Sequence, residues 1–156
     1  GGTEAGESEP RFPNATYHLH PADLRHFADA DEHAYVANRP AQRLRSLGVL
    51  RTIDRNHDIA PGVRVLHAPG HTPGHRGVLL CDGDEGVLLT GDLLHQPVQI
   101  AQRQWFSEHD EDPLLGVASR RLLLWRAETG GHRVGVSHFA EPFGRIEDGR
   151  WVRGAD

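Results

Sequence analysis

The sequence predicts an α/β layered domain, and three observations carry that prediction. Apolar runs of strand length recur between turn signals: Val63-Arg64-Val65-Leu66, Gly77-Val78-Leu79-Leu80 and Val87-Leu88-Leu89. A long capped helical pattern over residues 112–130 follows them. Strands and helices mix without strict βαβ alternation and without an internal repeat, which fits layers of sheet and helix.

Taken in order, residues 1–13 are rich in Gly, Glu and Pro and read as a loop. Residues 15–20 (ATYHLH) read as a short strand stopped by Pro21. Residues 20–34 have Pro at a helix start and Leu24, Phe27 and Ala28 at helical spacing. A second short helix is expected over 40–48, closed by Gly48. Residues 49–54 read as a strand, 56–62 as a turn, and 63–68 as a strand. Residues 76–81 and 87–92 should pair across Asp82-Gly83-Asp84-Glu85-Gly86, a hairpin turn signal. Residues 93–111 read as irregular, with Trp105 and Phe106 packing the loop down. The main helix has Asp112 as N-cap, Pro113 at its first position and Gly130 as terminator. The run HRVGVSHF (132–139) reads as a strand that ends in His138, and a hairpin over Asp148-Gly149 closes the chain.

With 156 residues, 37% hydrophobic and 25% charged, the chain is expected to form a single domain over 1–156. The net charge of −5 is mild and interspersed, which argues against a nucleic-acid or membrane-surface partner. No apolar stretch nears the roughly 20 residues that span a bilayer, and no secretory pattern opens the chain; a cytoplasmic location is the expectation. Cys81 is the single cysteine, so it has no internal disulfide partner, and it reads as a small buried hydrophobe. The 12 histidines are scattered rather than blocked as in a purification tag. Methionine is absent, so the chain is expected not to begin at its translation start.

Among those histidines, His75 and His138 share a context with Asp92. Each sits where a short segment leads into or out of an expected strand, and Gly91 lets the backbone turn sharply before Asp92. Two imidazoles and a carboxylate at strand ends suit a divalent ion such as Zn²⁺, Mn²⁺ or Fe²⁺.

The runs APGHTPGH (68–75), LLTGD (88–92) and GVSHF (135–139) resemble the later motifs of the metallo-β-lactamase superfamily, in the same order. GDLLHQPVQI and SRRLLLWRAETG are most similar to its lactonase and organophosphate-hydrolase branch. The resemblance implies an αβ/βα sandwich holding two divalent metal ions, zinc first among the candidates. It implies that His75 binds the first ion, that Asp92 bridges both and is central to catalysis, and that His138 binds the second. It further implies that His71 steadies the loop by hydrogen bonds behind the ligands, and that His95 supports the ligands or faces the substrate. The implied reaction is hydrolysis of an ester-type bond, in a small lactone or phosphotriester-like substrate, by a metal-activated hydroxide. Thiolesters and β-lactams are the alternative substrates, and homo-oligomerisation is left open.

One departure matters. The superfamily's leading H-x-H-x-D-H motif is absent from the chain. The run HLHPADLRH, with His18, His20, Asp23 and His26, has the wrong spacing, and its Asp and His fall on a helix rather than side by side on a loop. The chain is therefore expected to be a C-terminal portion of such a hydrolase, its N-terminal strands missing and apolar surface exposed. The alternative is a non-catalytic fragment or pseudoenzyme that binds metal weakly or not at all.

Overall fold

The computed structural model describes residues 9–29 and 34–154, which form two compact units divided after Asp54. Residues 1–8 of the expected N-terminal loop and 30–33 of the expected first helix lie outside the described residues.

In the first unit, β1 (Tyr17–Leu19) pairs in parallel with β2 (Leu50–Thr52), in the register Tyr17–Leu50 and Leu19–Thr52. The two helices between them are α1 (Pro21–Asp29) and α2 (Ala34–Ser46). Pro21 opens α1, where its fixed φ suits a first helical turn. α2 starts six residues before the expected Pro40 and runs through it. A proline inside a helix removes one backbone bond and bends the axis, yet the flanking turns continue here. Gly48, with φ of 73°, ends the helix as expected.

The second unit is built on a seven-stranded sheet in sequential order: β3 (His57–Ala60), β4 (Val63–His67), β5 (Arg76–Asp82), β6 (Glu85–Leu89), β7 (Arg133–Gly135), β8 (Phe143–Glu147) and β9 (Arg150–Arg153). Only β6 and β7 are parallel; the other neighbours are antiparallel. A parallel pair needs a crossover, and it contains the short α3 (Val98–Ala101) and the long α4 (Pro113–Thr129).

Both expected hairpins form. Gly83 and Asp84 make a two-residue loop with Gly83 at φ 58°, and Asp148-Gly149 has positive φ at both positions, as the hairpin-compatible primed turns require. α4 also follows its sequence signals. The Asp112 carboxylate accepts the Leu115 N–H at 2.9 Å, and the Gly130 N–H returns to the Arg126 carbonyl at 3.0 Å.

One face of the sheet carries the core. Leu66, Leu88, Val134 and Ile146 pack with Leu123, Leu124 and Ala127 of α4 and with Leu93, Leu94 and Ile100 of the crossover. The register explains the selection, since Leu79, Leu88 and Val134 are cross-strand neighbours and so share a face.

Three sequence expectations are corrected. His57–Ala60, read as a turn, is an edge strand with a bulge against β4; all four residues are exposed, so no apolar alternation marks it. Cys81 is exposed rather than buried, because it sits beside the Gly83–Asp84 turn opposite Gly86, which has no side chain to cover it. Trp105 and Phe106 do not pack their loop down; they are 54% and 59% exposed.

Candidate metal centre

The topology explains why distant residues meet. β6 and β7 are parallel neighbours, so the segments leaving their C-terminal ends emerge side by side. Thr90 fastens the two exits, donating both its N–H (2.9 Å) and its hydroxyl (3.2 Å) to the Gly135 carbonyl. Asp92 follows one exit and His138 the other, and His138 Nε2 lies 3.0 Å from Asp92 Oδ1. β5 runs antiparallel to β6, which puts the start of β5, and His75 just before it, at the same edge.

The loop between β4 and β5 is stiff for identifiable reasons. Its ends are joined by Ala68 N–H to His75 carbonyl (2.9 Å), and Thr72 O accepts from Gly70 and His75 N–H. It is also tied to the start of α4: Asp112 N–H donates to Gly70 O at 2.9 Å, and Ser119 Oγ donates to Pro69 O at 2.7 Å. Gly70 makes that approach feasible, since a Cβ there would come within 2.2 Å of Gly116 Cα.

The two histidines of this loop have different surroundings. His75 donates through Nδ1 to the Ala68 carbonyl (2.9 Å), and its Nε2 accepts the backbone N–H of Asp92 (3.0 Å). Both ring nitrogens are thus engaged with main chain. His71 places Nδ1 3.2 Å from Asp110 Oδ1 and Nε2 3.7 Å from Asp92 Oδ2. His95 completes the group, with its ring stacked on that of His138 (centroids 4.9 Å apart) and tilted against that of His71 (5.1 Å).

Burial pushes the His95 imidazole below the ordinary histidine value; neighbouring His71 and His138 add to this, and Asp110 and Asp92 oppose it. Its Nδ1 is buried and has no hydrogen-bond partner among the described residues. The His95 backbone N–H is held by the Gln99 side-chain carbonyl at 2.7 Å.

All five residues singled out in the sequence, His71, His75, Asp92, His95 and His138, therefore converge on one sheet edge. Two others were not anticipated. Asp110 lies in the acidic run Glu108-His109-Asp110-Glu111-Asp112, where nothing distinguishes the one buried carboxylate. Arg120, one of two adjacent arginines on α4, is 1% exposed. By contrast, HLHPADLRH has a local structural use: His20 Nδ1 accepts the Ala22 N–H at the start of α1, and its Nε2 donates to Asp54 O.

The donor chemistry fits a borderline divalent cation. His71 is anchored through Nδ1 on a carboxylate, an arrangement that in the neutral ring leaves Nε2 as a lone-pair donor, and it faces the Asp92 carboxylate. Beside this group opens a cavity of about 610 Å³, lined by His95, His138, Gln99, Val98, Trp105 and Phe106 among others.

An α/β sheet carrying such a cluster at its strand ends defines a class, and comparison with known proteins specifies it. The chain belongs to the metallo-beta-lactamase superfamily, whose profile matches residues 5–135. Among curated proteins it is similar to the N-acyl homoserine lactonase of Bacillus sp, 34% identical over 71 residues (45% of this chain, 28% of that protein). The N-acyl homoserine lactonase of Bacillus cereus is 31% identical over the same length and the same shares of each chain. Among solved structures, AidC, a dizinc quorum-quenching lactonase, is matched with a TM-score of 0.75 at 22% identity, over 95% of this chain and 57% of that one. A probable metal-dependent hydrolase from Staphylococcus aureus gives 0.78 at 14% identity, over 95% and 55%. The chain thus spans little more than half the length of these solved relatives, which share its fold.

Proposed function

We propose that this chain is part of a metal-dependent hydrolase of ester-type bonds, with His71, Asp92 and His138 as its cation donors. The observation that carries this reading is the position of the Asp92 carboxylate, 3.0 Å from His138 Nε2 and 3.7 Å from His71 Nε2. His71 takes the ligand role that the sequence suggested for His75, because both His75 nitrogens are spent on main chain. His75 then braces the loop and fixes the backbone of Asp92.

A divalent ion held there would polarise a carbonyl or phosphoryl oxygen and lower the pKa of water at the site. The remaining work falls to the chain. The bonds of Thr90 and His75 keep Asp92 in one place, so little ordering is required when substrate arrives. Trp105, Phe106 and Val98 offer an apolar wall on the cavity beside His138, suited to the non-reacting part of a lactone or organophosphate ester. The lactonase relatives support a lactone as the first substrate to try. Zinc is the first metal to try, with manganese and iron next.

The test is hydrolysis of a panel of lactone, phosphotriester, thiolester and β-lactam substrates with and without added Zn²⁺. Asp92→Ala should remove both activity and bound metal; retention of either would rule out its central role.

A second reading, a chain that binds metal weakly and does not turn over, is favoured by one observation: no H-x-H-x-D-H run occurs in the sequence. Zinc content after dialysis separates the two. About two equivalents retained per chain would exclude the weak-binding reading.

A further inference from the structure

We infer that Asp110 is a positioning residue for the candidate centre, holding His71 so that Nε2 faces Asp92, with Arg120 as its fixed counter-charge. The inference rests on the ligand reading above.

Asp110 is almost entirely enclosed; its side chain is 2% exposed. Its Oδ1 lies 3.2 Å from His71 Nδ1, its Oδ2 accepts the Ser107 N–H at 3.0 Å, and Arg120 Nη2 stands 3.9 Å from Oδ2. A buried carboxylate needs paired charge or hydrogen bonds, and this one has both. Arg120 is in turn fixed by main-chain acceptors: Nε donates to Leu93 O at 2.8 Å, and Nη1 donates to Arg103 O (3.2 Å) and Trp105 O. One guanidinium thereby ties the segment after Asp92, the loop at 103–105 and Asp110 to α4.

The consequence for His71 follows from its two faces. In the neutral ring, an acceptor-only carboxylate at Nδ1 holds the proton there, and Nε2 then presents a lone pair toward a second carboxylate, Asp92 Oδ2 at 3.7 Å. Two acceptors facing each other leave a place for a positive charge between them. A divalent cation would suit that place, and a carboxylate behind the imidazole would make the imidazole a better ligand.

A competing assignment is available. His71, His95 and Asp110 offer ligand atoms within 4.8 Å of one another, so Asp110 could be a metal ligand itself. The geometry favours the positioning role. Both Asp110 oxygens already serve donors, and Arg120 would repel a cation placed on Oδ2.

The test uses the full 156-residue chain in wild-type, Asp110→Asn, Asp110→Ala and Asp92→Ala forms. Ring ¹⁵N shifts of His71, measured with chelator present, report its tautomer without any metal. Calorimetric titration with Zn²⁺ reports affinity. Asp110→Asn is isosteric and keeps the fold testable; a melt in chelator checks this. In Asp110→Asn the Ser107 N–H and Arg120 draw the amide oxygen to their side and turn the NH2 toward His71. The expected result is therefore a loss of the Nδ1–H tautomer in both Asp110 variants, with zinc binding weakened roughly 10–100-fold. An unchanged tautomer overturns the inference, and if zinc is nevertheless lost, Asp110 is a direct ligand instead. Unchanged zinc affinity in Asp92→Ala overturns the underlying ligand reading, whatever Asp110 does. Where zinc binding is too weak to titrate, the tautomer comparison alone decides.

Discussion

Gly91 lies so close to His75 that a Cβ added to it would stand 2.7 Å from the imidazole Nε2. The same residue has φ of 58°, which an L side chain adopts at a cost of roughly 1–2 kcal/mol. Gly91→Ala should therefore destabilise the chain through both backbone strain and contact. Gly83→Ala is the matched control, with the same φ of 58° and nothing within 4 Å of its Cβ. In urea melts, Gly91→Ala should lose clearly more stability than Gly83→Ala. Equal losses would mean that the His75 contact contributes nothing.

The cap on α4 gives a second prediction. Asp112 Oδ1 accepts the Leu115 N–H, one of the helix's otherwise unpaired first-turn donors. Asp112→Ala should cost about 1 kcal/mol, within the 0.5–2 kcal/mol usual for such caps. Asp112→Asn or →Ser should recover most of it, since either can accept the same bond. No loss in the Ala variant would show that the backbone tie from Asp112 N–H to Gly70 O is sufficient by itself.

Leu124 is fully buried between α4 and the sheet face that carries Leu88 and Val134. Leu124→Ala should cost about 2–5 kcal/mol, the range for a buried leucine that leaves a cavity. Leu122, two residues earlier and 48% exposed, should lose less than about 1 kcal/mol on the same change. Thermal or urea melts on both variants check which face of α4 bears the core.

These outcomes bear on what the sequence made legible. Local signals succeeded where the physics is local: the Asp112 cap, Pro113 at the helix start, and the Asp148-Gly149 turn all depend on residues within a few positions. The β3 strand escaped because His57–Ala60 is an exposed edge with no buried alternation to announce it. The five residues that the structure brings together were legible as a candidate cluster, since glycines and prolines mark the loops that carry them. The different surroundings of His71 and His75 were not, because they depend on a carboxylate 39 residues further on and on the backbone of residue 92. Asp110 and Arg120 were hidden for the same reason. Burial of a charged side chain is decided by tertiary packing, and neither residue differs from its charged neighbours in the sequence.

His95 sets a pH dependence whose sign follows from its surroundings. Burial, then His71 and later His138, hold its imidazole below the ordinary value of about 6.5, with Asp110 and Asp92 opposing. As pH falls through that range, the unfolded chain takes up a proton that the folded chain resists. Stability of the metal-free chain should therefore be fullest above the unfolded value and decline as pH drops from it toward the folded one. His95→Gln should flatten this part of the profile in melts run with chelator. An equally steep decline in the variant would assign it to other groups.

The proposed exchange of roles between the two loop histidines leads to the sharpest prediction. If His71 supplies a donor through Nε2, His71→Ala removes a ligand and should weaken Zn²⁺ binding by more than the 10–100-fold typical of losing a supporting residue. His75→Ala removes a bond to the Asp92 backbone and one to Ala68 O, so its effect on zinc should stay within that supporting range, accompanied by lower stability. The two variants thus differ in which measurement moves most. For His71→Ala the zinc affinity changes most, with a smaller fall in the chelator melt because buried Asp110 Oδ1 loses its partner; for His75→Ala the melt falls first, because the stiff loop loses the anchor at its end. Calorimetric titration paired with melts in chelator separates the cases. A larger zinc loss in His75→Ala than in His71→Ala would return the ligand role to His75 and require its Nε2 to leave the Asp92 N–H when metal binds.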